Sequence, residues 1–346
     1  MASYPTLIVH IGAGKTGTTS IQFTLKKARD KLRLAKLAYL GLSLEHAPGA
    51  TEYSWCVPKI PQALFLEQAS NRSTTDKEVE AVLLKELERL GSRGFRQAIW
   101  SNEAFFVRPS NIIPILRKVR ESGVQVVPIV YVRRHDSWAQ SGYVQFGIKY
   151  KSYDGHIRNF KEWLQGQDIS YTKNLKIWLE NFPNLEIYNF DSIDNVTEHF
   201  LSRIGSPDLE TVRANDKPGL ALLAAWAVHN ASFPGKVMPS VFQKLAKRLG
   251  ILQKDNQLVP SIDQLLPNEE DIFEVQRLFK DDLGEVNKML EDCGQPPMHF
   301  DTPSVKRKTI SSWDIDQMML TMIFSLQRQV INLEEEIQKL RDKKLP

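Results

Sequence analysis

Short apolar runs alternate with amphipathic segments along the first 205 residues. The apolar runs have the length of strands, and several are too continuously apolar to have a solvated face; they are 6–11, 37–40, 97–101, 124–132 and 185–190. Segments between them carry apolar residues every three or four positions, as helices do, and these are 79–90, 112–120, 171–181 and 196–204. This alternation predicts an α/β fold, a parallel sheet with helices on both faces.

The strand pattern stops after residue 205, and helices are predicted at 221–231, 241–249 and 271–290. A long C-terminal helix is predicted from Trp313 onward, and its apolar stripe consists of Ile315, Met319, Met322, Leu326, Val330, Leu333, Ile337 and Leu340. The last four keep heptad spacing for only about two heptads. Two interpretations stay open, a homodimer formed through this helix and a helix that packs on its own domain. We predict a main domain over residues 1–300 and a C-terminal basic segment and amphipathic helix over 301–346.

Composition narrows the class of protein. The chain has 346 residues, of which 42% are hydrophobic, enough to bury a sizeable core. Its 45 basic and 41 acidic residues are too balanced for a nucleic-acid-binding protein. Cys56 and Cys293 form no metal or disulfide motif, and we expect buried free thiols. Neither a signal peptide nor a transmembrane run is recognisable, so a soluble, cytoplasmic protein is expected.

A glycine- and threonine-rich loop joins the first predicted strand to the first predicted helix. Its glycines are Gly12, Gly14 and Gly17, and its hydroxyls belong to Thr16, Thr18 and Thr19. Glycines allow a tight turn, and the amides at a helix start form an anion site. Lys15 adds a positive charge. The loop is therefore predicted to bind phosphate or sulfate.

The motif in this loop separates two nucleotide-binding families. A nucleotide triphosphate loop would require glycine where Val9 stands. The run Lys15-Thr16-Gly17-Thr18-Thr19 resembles instead the 5′-phosphosulfate loop of the sulfotransferase family. That resemblance implies a three-layer, P-loop-like sulfotransferase fold. It also implies that residues 14–19 bind 3′-phosphoadenosine 5′-phosphosulfate (PAPS), that the product is 3′,5′-bisphosphoadenosine (PAP), and that no metal is needed.

A second anchor for the nucleotide is predicted after the strand that ends at Val132. In P-loop nucleotide hydrolases such a strand ends in an acidic residue for Mg²⁺, whereas here Arg133 follows. The sulfotransferase family has an arginine here and a serine eight residues later, which matches Arg133 and Ser141; Arg134 is one residue too close. The resemblance implies that Arg133 and Ser141 bind the 3′-phosphate.

Glu103 is the candidate catalytic base. It follows the strand 97–101, whose carboxyl end should open on the same crevice as the loop. Sulfuryl transfer needs a base for the acceptor proton and a positive charge near the leaving oxygen, and Glu103 and Lys15 suit these roles. Sulfotransferases use histidine or glutamate as this base. Alternatively, Glu103 caps the following helix or pairs with Arg108, and His135 is then the next candidate.

The sequence says least about which molecule accepts the sulfuryl group. An aromatic group near the second anchor could form a sugar platform or belong to the core; its members are Trp138, Tyr143, Phe146, Tyr150 and Tyr153. Family analogy favours a hydroxyl or amine of a glycan. The run Lys306-Arg307-Lys308 resembles a late nucleotide-binding segment of the family but lacks its glycine, so a solvated basic run is favoured. Two other functions stay open, a P-loop kinase that uses ATP and Mg²⁺, and a non-enzymatic interaction protein.

Overall fold

The computed structural model describes residues 4–57, 72–206, 208–212, 220–231, 233–248, 266–301, 319, 326 and 329–337. The chain forms two compact units. The first consists of Met1–His135, Ser170–Asn215 and Phe279–Phe300, and the second of Asp136–Ile169, Asp216–Leu278 and Asp301–Pro346. The division at residue 300 that the sequence suggested stays a prediction.

A five-stranded sheet forms the centre of the first unit. The strands are β1 (Thr6–Ile11), β2 (Leu37–Gly41), β3 (Gln97–Asn102), β4 (Val126–Val132) and β5 (Glu186–Asn189). Their order is β2-β3-β1-β4-β5, and every pairing is parallel. Each strand lies within two residues of its predicted position. Because β1 is central, the loop that follows it lies between the carboxyl ends of β3 and β4, where α/β sheets bind ligands.

The helices surround this sheet and build the second unit. In chain order they are α1 (Thr18–Lys27), α2 (Arg29–Leu34), α3 (Arg72–Ser92), α4 (Ala104–Val107), α5 (Pro109–Glu121), α6 (His135–Gly142), α7 (Phe160–Leu164), α8 (Thr172–Asn181), α9 (Val196–Arg203), α10 (Leu220–Ala231), α11 (Pro239–Arg248), α12 (Glu269–Leu278) and α13 (Lys280–Asp292). A π-helix, Tyr143–Lys149, follows α6 directly.

Helices cover the sheet on two sides. On one side, Ile21 of α1 and Phe200 of α9 join a buried cluster with Ile8, Ile99 and Ile129 of the sheet. On the other side, α5 packs against α3, α8 and β4. The apolar faces of α5 and α9 thus lie against the sheet, as the sequence predicted. The three-layer α/β sandwich is confirmed.

The second unit is helical and rich in aromatic contacts. Here α10 and α7 both pack on the π-helix. Tyr143 is buried and donates a hydrogen bond from its hydroxyl to the Arg158 carbonyl oxygen at 2.8 Å. Tyr153 is also buried, and its hydroxyl donates to the Gly147 carbonyl oxygen at 2.7 Å. These two members of the aromatic group therefore belong to the core, whereas Trp138, Phe146 and Tyr150 are half-buried.

Local expectations differ from the structure in two places. The helix predicted over 271–290 is two helices, α12 and α13, separated at Phe279, whose ring stacks on His135 with centroids 5.0 Å apart. The half-buried Phe279 ring therefore lies at the point where one helix ends and the next begins. Cys56 and Cys293 are free thiols, but only Cys56 is buried. Lys306-Arg307-Lys308 and most of the C-terminal helix lie outside the described residues, although 329–337 are helical.

Candidate functional site

The loop between β1 and α1 has an unusual backbone. Gly14, Lys15 and Gly17 all have positive φ, of 66°, 55° and 76°. A left-handed lysine is strained, and such residues concentrate at functional sites. A methyl group added at Gly17 would lie 2.4 Å from Val196 Cγ1, so glycine is required there for space as well as for φ. The loop therefore has a fixed shape, and α1 begins directly after it with no acidic residue in its first turn.

Two hydroxyl groups of the loop fit an anion. Thr16 and Thr18 are buried, and among the described residues their Oγ1 atoms have no hydrogen-bond partner. A buried polar atom without a partner is costly, so such groups usually serve a ligand or water. Lys15 and Thr19 are partly buried beside them. The donors that the sequence singled out are thus present at a helix N-terminus, where an anion is favoured.

A small polar network lies beneath the loop. His10 of β1 is buried, and its Nδ1 lies 2.8 Å from Ser101 Oγ of β3. Gln22 of α1 donates from Nε2 to the same Ser101 oxygen at 3.2 Å. Burial lowers the pKa of His10 to about 3, so its ring is neutral at physiological pH. This network was not predicted from the sequence, although a histidine in an otherwise apolar strand was a visible signal.

Arg133 lies against the loop. It follows β4, and its Nη1 donates to the Lys15 carbonyl oxygen at 3.3 Å. Its Nε lies 3.6 Å from Asp191 Oδ1, and its guanidinium stands over the Phe190 ring at 5.2 Å. These contacts fix the guanidinium beside the predicted anion site. The sequence did not predict the role of Asp191.

Arg134, the other arginine considered for the 3′-phosphate, contacts a different part of the chain. Its backbone N–H donates to Asp191 Oδ2 at 2.8 Å, and its Nη1 donates to the His299 carbonyl oxygen at 3.3 Å. Of the two arginines, Arg133 is therefore the one in contact with the loop. Ser141 is partly buried on the last turn of α6, in the second unit, and its pairing with Arg133 stays a prediction.

Glu103 stands next to the loop at the end of β3. Gly12 N–H donates to the Asn102 carbonyl oxygen at 3.3 Å, and a methyl group added at Gly12 would lie 2.9 Å from Glu103 Cα. Burial raises the pKa of the Glu103 carboxyl, and the positive charge of Lys15 opposes that rise. The two candidate catalytic groups are therefore close enough to influence each other.

The alternative that Glu103 is a helix cap is not supported. Glu103 precedes α4, but its side chain makes no capping hydrogen bond. Asn102 Oδ1 accepts instead from the Ala104 N–H at 2.9 Å. A carboxyl that is desolvated and not used as a cap is the kind of group that can act as a base.

His135, the reserve candidate for the base, pairs with a partly buried aspartate. It is fully buried, and its Nε2 lies 2.7 Å from Asp282 Oδ2. Asp282 also accepts from Ser170 Oγ at 2.7 Å and from the N–H groups of Tyr171 and Thr172, each at 3.1 Å. Burial alone would raise the pKa of Asp282, but the bonds from His135, Thr172, Ser170 and Tyr171 hold it well below its usual range. This cluster of residues distant in the chain was not predicted from the sequence.

Asp282→Asn should lower the free energy of unfolding by about 3 kcal/mol at pH 7, because an amide cannot replace the carboxylate as the acceptor for its four donors. Since the carboxyl has a lowered pKa in the folded state, its contribution is present above the ordinary carboxyl pKa and is lost as the pH falls through the lowered value. Urea unfolding at neutral and strongly acidic pH measures both effects. The exposed neighbour provides a control, Asp281→Asn. Equal stability of the two variants at pH 7 would contradict the assignment.

Comparisons with known proteins add little to this geometry. No protein-family model matches the chain, and no curated protein matches its sequence. A structure from the PezAT chromosomal toxin-antitoxin system of Streptococcus pneumoniae is similar at 14% identity and a TM-score of 0.28, covering 73% of this chain and 88% of that one. Retinol dehydratase in complex with androsterone and inactive cofactor PAP is similar at 13% identity and a TM-score of 0.29, covering 87% and 84%. Structural similarities with TM-scores this low do not indicate a function for this chain.

Among the described residues, no helix is both long and apolar enough to cross a bilayer. Within the same residues, no group of three or more histidine, cysteine or acidic side chains is arranged to hold a metal ion.

Proposed function

We propose that this chain is a sulfotransferase that moves a sulfuryl group from PAPS to a hydroxyl or amine, on a carbohydrate in our preferred assignment. The observation that carries the proposal is the contact between Arg133 and the loop, with Nη1 3.3 Å from the Lys15 carbonyl oxygen. An arginine at this strand end recognises an anion, whereas nucleotide hydrolases have a metal-binding carboxylate there. Two anion-binding elements beside one another suit a donor with a 5′-phosphosulfate and a 3′-phosphate.

The loop residues 14–19 would bind the 5′-phosphosulfate. The buried hydroxyls of Thr16 and Thr18 can donate to its oxygens, and the start of α1 provides backbone N–H groups. Arg133 would bind the 3′-phosphate, together with Ser141. Charge-assisted hydrogen bonds of this kind are stronger than neutral ones. The resemblance of the loop motif to the sulfotransferase family supports the same assignment.

The chemistry that we propose is a direct transfer. The acceptor oxygen or nitrogen forms a bond to sulfur while the bond between sulfur and the phosphate oxygen of PAPS breaks. That oxygen keeps the electron pair, and PAP leaves. The acceptor proton passes to the carboxylate of Glu103, whose pKa burial has raised, and the ammonium group of Lys15 stabilises the charge on the leaving oxygen.

Arg133→Ala should weaken PAP binding about ten- to a hundredfold, because a charge-assisted bond to phosphate contributes about 1.5 to 3 kcal/mol. Binding of AMP, which lacks the 3′-phosphate, should change little. Titration calorimetry with PAP, AMP, ADP and ATP measures these affinities, and the wild-type chain should prefer PAP to all three.

The matched control is Arg134→Ala, which removes the same charge one residue away and should keep the preference for PAP. If Arg133→Ala weakened PAP and AMP equally, Arg133 would only support the loop. A wild-type chain that preferred ATP in the presence of Mg²⁺ would favour the kinase alternative instead.

A further inference from the structure

The C-terminal helix presents apolar side chains to solvent. In the described residues, Met319, Leu326, Val330, Leu333 and Ile337 are helical and between 49% and 57% exposed. Large apolar groups left this exposed at regular intervals usually mark an interaction surface. The helix contacts its own unit at Gln329, whose Nε2 donates to the Arg248 carbonyl oxygen at 3.3 Å. Gln329 is not a member of the apolar row, which stays about half exposed among the described residues.

These side chains follow a strict heptad register. Met319, Leu326 and Leu333 are seven residues apart and occupy position d, and Val330 and Ile337 are seven apart and occupy position a. The same count assigns Ile323 to a and Leu340 to d; both lie outside the described residues, and only the sequence gives their positions. The pattern therefore extends over three heptads, which is long enough for a coiled coil, rather than the two counted from residue 330.

The residues at a and d indicate how many helices pair, and the charges at e and g indicate the direction. Position a holds only β-branched residues and position d holds leucine and methionine, a combination that in parallel coiled coils favours two strands. The register also assigns Glu336 to position g and Arg341, outside the described residues, to position e of the next heptad. In a parallel pair these opposite charges face each other across the two helices.

We infer that this helix pairs with the same helix of a second copy of the chain, in a parallel, in-register, two-stranded coiled coil. The partner is a second copy because the register is complementary to itself, with β-branched layers facing β-branched layers and leucine facing leucine. This association is independent of the proposed sulfuryl transfer, since none of the residues involved belongs to the anion site.

Two adjacent residues provide a matched test. Val330 and Ile331 are 52% and 46% exposed on the same helix, but Val330 occupies a and Ile331 occupies b, away from the seam. In light scattering on the full chain, the wild type should have twice the chain mass, and Val330→Asp should halve it. Ile331→Asp should leave it unchanged. A monomeric or trimeric wild type, or equal masses for the two variants, would overturn the inference.

Cross-linking tests the direction of the pair. Met319→Cys places a thiol at one end of the seam, and in a parallel pair the two copies of this residue come within disulfide range. In an antiparallel pair they lie at opposite ends. With Cys293 replaced by serine throughout, oxidation with diamide should link Met319→Cys chains and spare the outward-facing control, Glu335→Cys. A dimer in which Met319→Cys stays uncoupled would overturn the parallel arrangement.

Discussion

Replacing Glu103 by glutamine should lower turnover by about 10² to 10⁴, the usual contribution of a general base. Glutamine keeps the shape of the side chain but cannot accept the acceptor proton. Nucleotide affinity should hardly change, because Glu103 is proposed to meet the acceptor rather than PAPS. Single-turnover kinetics with PAPS, together with calorimetry of PAP binding, measures both quantities.

The pH dependence gives Glu103 a signature of its own. Because burial raises the pKa of this carboxyl, kcat/KM of the wild type should fall as the pH drops through a value above the ordinary glutamate pKa. Glu103→Gln should lose this acidic limb, and Glu103→Asp should keep it at reduced turnover. Near wild-type turnover of Glu103→Gln, where chemistry limits the rate, would remove Glu103 from the mechanism. His135 would not replace it readily, since that ring is buried and paired with Asp282.

Replacing Lys15 by alanine should reduce both turnover and nucleotide binding. Loss of a group that stabilises developing negative charge lowers kcat by about 10² to 10³. The same ammonium group meets the phosphosulfate before reaction, so PAP affinity should fall about tenfold. Rapid-quench kinetics and calorimetry separate the two effects, and only the Lys15 variant, not Glu103→Gln, should lose affinity.

The control for this variant must account for the strained backbone. Lys15 has a φ of 55°, and alanine, which also has a Cβ, meets the same steric cost. Lys36 is a second left-handed lysine, with a φ of 61°, in the turn before β2. Lys36→Ala therefore removes a lysine from the same backbone conformation, and it should leave turnover and PAP affinity unchanged. Unaltered PAP binding by Lys15→Ala would mean that the lysine does not contact the nucleotide.

Features that depend on neighbouring residues could be predicted from the sequence alone. A strand buried on both faces is continuously apolar, so β1 and β4 could be located to within two residues. The loop was recognisable because its glycines, lysine and threonines are close together in the sequence. Alternation of strands and helices was sufficient to predict the parallel sheet.

Features that depend on distant segments could be seen only in the folded chain. Arg133 and Arg134 are adjacent and chemically identical, and they differ only because the loop lies near one and His299 near the other. The ring of Phe279 and the carboxyl of Asp282 both contact His135, and His135 and Asp282 are 147 residues apart in sequence. The raised pKa of Glu103 likewise comes from burial against a loop of another strand. Periodicity along the chain reports which face of an element is buried, whereas hydrogen bonds and pKa values depend on which remote groups the fold brings to that face.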